Sequence, residues 1–188
     1  MSKVGDAVLY AAKGLGLTEL EQALAAGTEP EGEALEQQKD LLRCLNLAAG
    51  DMALCSVALV KSKTVAVTGG SALYSKIDVN LIELRAVYDG DGRKVAFTPY
   101  SDRFLAEDGV YTVEYRYLPG TLGMNDDLPF PAGAGEKAAA YGAACEYCIV
   151  CGRNNEAVKW ENLFVKEREK IEKIRTRRSF SLRPRRWY

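Results

Sequence analysis

The densest cluster of chemically capable side chains is CEYCIVC, which sets Cys145, Cys148 and Cys151 three residues apart. That spacing resembles part of an iron–sulfur or zinc signature. On a helix, steps of three precess by about 60° per residue, so the thiols fan out instead of converging. A fourth ligand near Cys151, with the Pro or His of such motifs, is also missing. Small core residues on a tightly packed helix are the plainer reading, because free cysteine is among the most buried residue types. A metal or iron–sulfur protein using these three thiols stands as a rival.

The carboxylates point the same way. DGDG at 89–92 opens like a calcium loop, but the twelfth position counted from Asp89 is Tyr100, where an EF-hand needs an acid. A hairpin turn is expected there instead. Asp126 and Asp127 adjoin in NDDLPFP, as in some Mg²⁺ sites, yet no third acid stands close by and the chain has no P-loop. They read as part of a solvated loop. TGGSALYS at 68–75 lacks the GxSxG pattern and reads as a flexible strand connection. The chain has no histidine, which removes Ser–His triads, HExxH sites and any base for Ser71.

Net charge is −1 over 188 residues, but it is unevenly shared. Residues 1–152 hold 13 Lys+Arg against 21 Asp+Glu, a net of −8, whereas residues 153–188 hold 12 against 5, a net of +7. The basic end culminates in RTRRSFSLRPRRWY, with Arg175, Arg177, Arg178, Phe180, Leu182, Arg183, Arg185, Arg186, Trp187 and Tyr188 and no acidic residue. A solvated, disordered basic end is the plainer reading; against it stand Phe180, Leu182, Trp187 and Tyr188, because arginine and aromatic side chains together make anchor residues in interfaces, so these ten are the candidate partner-binding residues. Nucleic acid could be held through phosphate contacts and stacking, and an acidic protein groove through bidentate Arg pairs. The acidic body argues against a broad nucleic-acid face and favours the protein groove. A nucleic-acid-binding accessory protein using the basic tail is the first alternative.

The elements that must position this tail change period twice. Thr18–Ala26 has capping-box spacing between Thr18 and Glu21, and GTEPEGE breaks the chain after it. From about Glu31 to Leu59, Ala34, Leu41, Leu45, Ala48, Met52, Cys55 and Leu59 fall on one helical stripe. From Lys63 to Tyr117 the period becomes two, in KTVAVT, KIDVNLIELRAVY, RKVAFTP and GVYTVEYRYLP, which predicts an antiparallel meander of four or so strands. Tyr111, Val113, Tyr115 and Tyr117 share its packed face, and DGDG and EDG at 107–109 supply positive-φ turns. A Gly/Pro-rich connection at 118–133 leads to an Ala-rich helix that stops at Gly152. A last helix from about Asn155 carries Ala157, Trp160, Phe164, Ile171 and Ile174, a stripe broken only at Arg168. These two helices are expected to form a hairpin. The fold class is α+β, a helical bundle from both ends of the chain around an inserted small antiparallel sheet. No apolar run approaches the length of a membrane span, the N-terminus lacks a signal-peptide pattern, and five cysteines do not form a disulfide framework, so an intracellular product is expected.

Taken in order, GVYTVEYRYLPG, LPFPAGAGEKAAAYGAACEYCIVCGR and EAVKWENLFVKEREKI resemble the head-to-tail connector proteins of tailed bacteriophages and prophages, also called neck or portal adaptors. The resemblance covers roughly residues 31–188 and rests on packing patterns without a catalytic signature. It implies a structural virion protein with no enzymatic activity and no cofactor. It implies a ring of copies, usually twelve, that docks under the portal, extends the DNA channel without binding DNA specifically, and presents a surface to the next neck or tail protein. Carried onto this chain, residues 1–174 would be one connector-like domain: helical at 1–60 and 134–174, with the β insertion at 62–118 and the loop at 118–133. Residues 175–188 would be an extended arm reaching the portal or a neighbouring copy. The β part or the loop would face another ring member or the tail. The site of action would be the virion neck, assembled in the bacterial cytoplasm.

Overall fold

The computed structural model describes residues 2–179, with side chains through Lys173. The fold is α+β, and the chain divides into two compact units: a helical one from both ends of the sequence, and a β one formed by Ala58–Gly120.

The helical unit holds α1 (Val4–Leu15), α2 (Thr18–Ala26), α3 (Gly32–Cys55), α4 (Ala134–Val150) and α5 (Asn154–Ser179). Helix α4 is its centre and packs against α5, α3 and α1. The sequence permits this because alanine and glycine occupy most of the circumference of α4: Ala138, Ala139, Ala140, Gly142, Ala143 and Ala144 are all buried. A Cβ on Gly142 would lie 2.6 Å from the Ala48 Cβ and 3.1 Å from the Phe164 ring, so three helices meet where a side chain is absent. Helix α1 approaches α5 in the same manner, with the Trp160 ring where a Cβ of Gly14 would stand. Trp160 lies 5.8 Å from the Tyr141 ring, which meets Tyr10 edge-on with a 3.1 Å hydrogen bond between the two hydroxyls.

Several boundaries differ from the sequence pattern. Thr18 is the first residue of α2, and its hydroxyl donates to the Gly16 carbonyl; Leu17 occupies the cap position, so no capping box forms with Glu21. Helix α3 ends at Cys55, which is exposed, and Leu59 lies beyond it in the β unit; the periodic stripe runs one turn past the helix. Gly152, at φ 71°, turns α4 into α5.

The β unit contains seven strands: β1 (Val60–Val67), β2 (Ser71–Leu73), β3 (Leu81–Tyr88), β4 (Lys94–Val95), β5 (Thr98–Pro99), β6 (Arg103–Leu105) and β7 (Gly109–Tyr117). They form two antiparallel sheets, in orders β1-β7-β3-β4 and β2-β6-β5, in place of the expected meander. Strand β7, last in sequence, pairs on both sides, with Thr64 opposite Thr112 and Val87 opposite Val113. Its alternation is as expected: Tyr111, Val113 and Tyr115 are buried, while Glu114 and Arg116 on the other face pair with Arg85 and Glu83.

RKVAFTP divides between the sheets, because Phe97 turns in to meet Phe104 edge-on at 6.1 Å. Pro99, which has no N–H, then sits on the edge strand of the smaller sheet. TGGSALYS is in part strand β2, followed by a 3₁₀ turn at Tyr74–Lys76. Strand β3 starts only at Leu81, since Asp78 is occupied in a turn, accepting from the Asn80 N–H and from the Tyr115 hydroxyl. Asp89 organises the expected hairpin at DGDG by accepting from the Asp91 and Arg93 amides. Gly109 does not adopt positive φ, and the turn at 107–109 is held instead by Asp108 accepting from the Gly70 N–H at 2.6 Å.

Candidate functional site

Three of the ten partner-binding candidates, Arg175, Arg177 and Arg178, belong to the last turns of α5, and their side chains lie outside the described ones. Phe180, Leu182, Arg183, Arg185, Arg186, Trp187 and Tyr188 lie outside the described residues altogether. The structure therefore describes the helix into which the first residues of this segment continue. That helix, α5, is anchored through Ala157, Phe164 and Ile171, all buried. Arg168, which interrupts this stripe, is not a defect in it. Its Nε donates to the Ser56 Oγ at 2.6 Å and its Nη1 to Asp51 at 2.8 Å, tying α5 to the end of α3, and its guanidinium lies 5.1 Å from the Phe164 ring.

Beside this anchor runs an open groove of about 500 Å³ between α4 and the first half of α5. Ile149 comes from α4 and Val158 and Val165 from α5, with Phe164 and Ala157 among the lining; Glu146 and Glu161 are the groove's carboxylates without an ion-pair partner among the described residues. None of these was singled out as a site by sequence reasoning. The signal was nevertheless present: Val158, Glu161 and Val165 recur at steps of three and four, forming a second stripe beside the core stripe of α5.

The three cysteines of CEYCIVC divide. Cys145 and Cys148 are buried, as small core residues would be, but Cys151 is exposed and is not part of that packing. Burial, then the Glu146 and Glu161 carboxylates, push the Cys145 thiol up to about 11, and it donates to the Ala157 carbonyl. Burial likewise raises Cys148, and it takes Cys44 to about 11. These thiols are protonated at neutral pH, unsuited to nucleophilic work. Among the described residues, no three His, Cys, Asp or Glu side chains are grouped so as to hold a metal ion. Also among them, no helix is long and apolar enough to cross a membrane.

The 118–133 connection lacks regular structure, as expected, but from Thr121 onward it is fastened to the helical unit. Asn46 of α3 grips it twice, accepting from the Leu122 N–H at 2.7 Å and donating to the Leu122 carbonyl at 3.1 Å. The amides of Val4 and Gly5 donate to Asp126 and Met124, and Leu128 and Phe130 are buried. The adjacent aspartates serve this fastening. Asp126 accepts from the Gly123 N–H, and Asp127 pairs with Lys3 at 2.9 Å, which holds its carboxyl below the usual range.

No protein-family model matches the chain, and no curated protein matches it in sequence.

Proposed function

We propose that the chain is a structural, non-enzymatic virion protein: a head-to-tail adaptor that forms a ring under the portal of a tailed phage, extends the DNA channel, and docks through residues 175–188. The reading is supported above all by the partition of charge. A body of net −8 is joined to a basic, aromatic segment through α5, one end of which is built into the helical core. DNA must slide through such a channel without adhering, and an acidic wall repels phosphate. An arm rich in arginine and aromatic residues suits docking, because a few such anchors dominate interface energies.

The test is a pull-down from lysate of phage-producing cells, with tagged full-length protein and a 1–174 truncation as parallel baits. Recovery of portal or tail-completion proteins by the full-length bait alone is the expected result. Recovery of nothing but nucleic acid and its usual binders, removed by moderate salt, would replace the adaptor with a nucleic-acid accessory protein.

A further inference from the structure

We propose that the groove between α4 and the first half of α5 receives the arginine–aromatic segment 175–188 of a second copy of this chain. The proposal rests on reading that segment as a docking arm, and names what it docks into.

The groove has the two properties such an arm requires. Its lining offers apolar surface to solvent, with Val158, Ile149 and Val165 exposed by 56%, 52% and 42%. Isolated exposed apolar residues are ordinary, but a contiguous set lining one groove and bordered by charge marks an interaction surface.

Its charge is negative and uncompensated. Arg168 is engaged by Asp51, whereas Glu146 and Glu161 have no cation paired with them among the described residues. Both carboxylates raise the pKa of the same buried thiol, Cys145, so both act on one short stretch of the groove. The segment 175–188 is the chemical complement, with six arginines, no acid, and Phe180, Leu182, Trp187 and Tyr188 to fill an apolar floor. Guanidinium forks match carboxylates bidentately, and aromatic rings fill desolvated pockets. The same acidity disfavours a nucleic-acid occupant.

Chain length tells against the copy's own arm at the acidic end of the groove, while Val165, about 21 Å from Ser179 along α5, lies within that arm's reach. Helix α5 ends at Ser179, about 27 Å along its axis from Glu161 at 1.5 Å per residue. The eight residues from Ser179 to Trp187 span about 27 Å only when fully extended. A chain doubling back must also make a turn, so its own Trp187 falls short of Glu161. An arm arriving from a second copy meets no such limit; reciprocal use of the same pair of surfaces closes a dimer, and head-to-tail use builds a ring where its rotation closes.

The test uses the full chain carrying a photoreactive benzophenone amino acid at position 187, prepared in light and heavy isotopic forms, mixed and irradiated. Crosslinks joining position 187 of one isotopic form to residues 145–165 of the other are expected. Glu146→Lys combined with Glu161→Lys should lower their yield roughly tenfold or more, as loss of paired charges in an interface does, with circular dichroism unchanged. Val158→Asp should do the same through the apolar floor. Crosslinks confined to one isotopic form, directed to other surfaces, or indifferent to all three substitutions would overturn the proposal. A chain that captures portal or tail proteins but shows no groove crosslinks refutes this inference and leaves the adaptor reading standing. Groove crosslinks from a chain that captures no neck protein do the reverse.

Discussion

Arg168 of α5 and Asp51 of α3 meet at 2.8 Å, although 117 residues separate them, and the same guanidinium donates to the hydroxyl of Ser56, which is 4% exposed. The last turn of α3 is thereby fixed to the helix that leads into the basic C-terminal segment. Arg168→Ala leaves the buried Ser56 hydroxyl without this partner and removes the stem over Phe164, so a loss of about 1–3 kcal/mol is expected. Urea unfolding followed by circular dichroism measures it, and an unchanged midpoint would mean that the contact contributes nothing net.

The meeting of α3, α4 and α5 at Gly142 admits no side chain. Gly142→Ala places a methyl 2.6 Å from Ala48 and near the Phe164 ring. Helix propensity alone would favour alanine by roughly 1 kcal/mol, but overpacking typically costs about 1–3 kcal/mol. Net destabilisation in a thermal melt is expected, whereas a more stable variant would show that the three helices yield readily.

Asn46 forms two hydrogen bonds with the backbone of Leu122 across 76 residues and donates a third to the Leu42 carbonyl one turn back in α3. Asn46→Ala orphans a backbone donor and acceptor together, and a loss of about 1–3 kcal/mol is expected. Hydrogen exchange locates the effect: the Leu122 amide should exchange faster while amides in the middle of α4 keep their relative protection.

Stability should fall on the alkaline side. The hydrogen bond with Tyr10, then burial, raises Tyr141 to about 12, and burial raises Tyr147 to about 12 and Cys145 to about 11. Each group ionises more readily in the unfolded chain, so the unfolded state binds fewer protons and stability declines as pH rises. The contribution is complete below the unfolded values, near 9 for the thiol and 10 for the tyrosines, and disappears as pH passes about 11 and then 12. Tyr10→Phe removes the leading cause at Tyr141, and ultraviolet titration of tyrosinate should then show one tyrosine ionising at lower pH. If the curve loses only the amplitude of Tyr10 and no remaining tyrosine moves to lower pH, the assignment is contradicted.

Residues 175–188 should be dispensable for folding, since Ile171, 3% exposed, anchors α5 before they begin. Truncation after Ile174 should retain a cooperative melt while abolishing capture of a partner; loss of the cooperative transition would make the segment part of the core. Trp187→Ala with Tyr188→Ala should weaken partner binding by roughly 2 kcal/mol or more if the rings are anchors. Unchanged affinity in a calorimetric titration would reduce the arm to an electrostatic tether.

The helices were legible because their signals are local. Thr18–Ala26 ends at Gly27, α4 stops just before Gly152, and the α3 stripe shows a period of three and four. The alternating face of β7 was legible for the same reason. Strand order was not, because a period of two says which side of a strand is buried and nothing about which strands flank it. β6 escaped for another reason: three residues are too few to show any period, yet its Phe104 is fully buried in the β unit's core. Arg168 interrupts its stripe because its partners, Asp51 and Ser56, are remote in sequence. The groove was hidden by the stronger core stripe of α5, whose positions alternate with those of Val158 and Val165.

The Tyr117 amide donates to the Leu59 carbonyl at 3.1 Å, so the β unit closes on itself where the chain comes in and goes out. For the helices, this alters the statistics of folding. Joining α3 to α4 through a slack segment as long as Ala58–Gly120 carries a loop-closure cost of roughly 3–4 kcal/mol, from (3/2)RT ln n. A formed β unit meets that cost internally and leaves its neighbours connected by what is effectively a short link. The insertion thus behaves as a cassette: its interior can vary widely in length and sequence while the helices experience only the separation of its two ends.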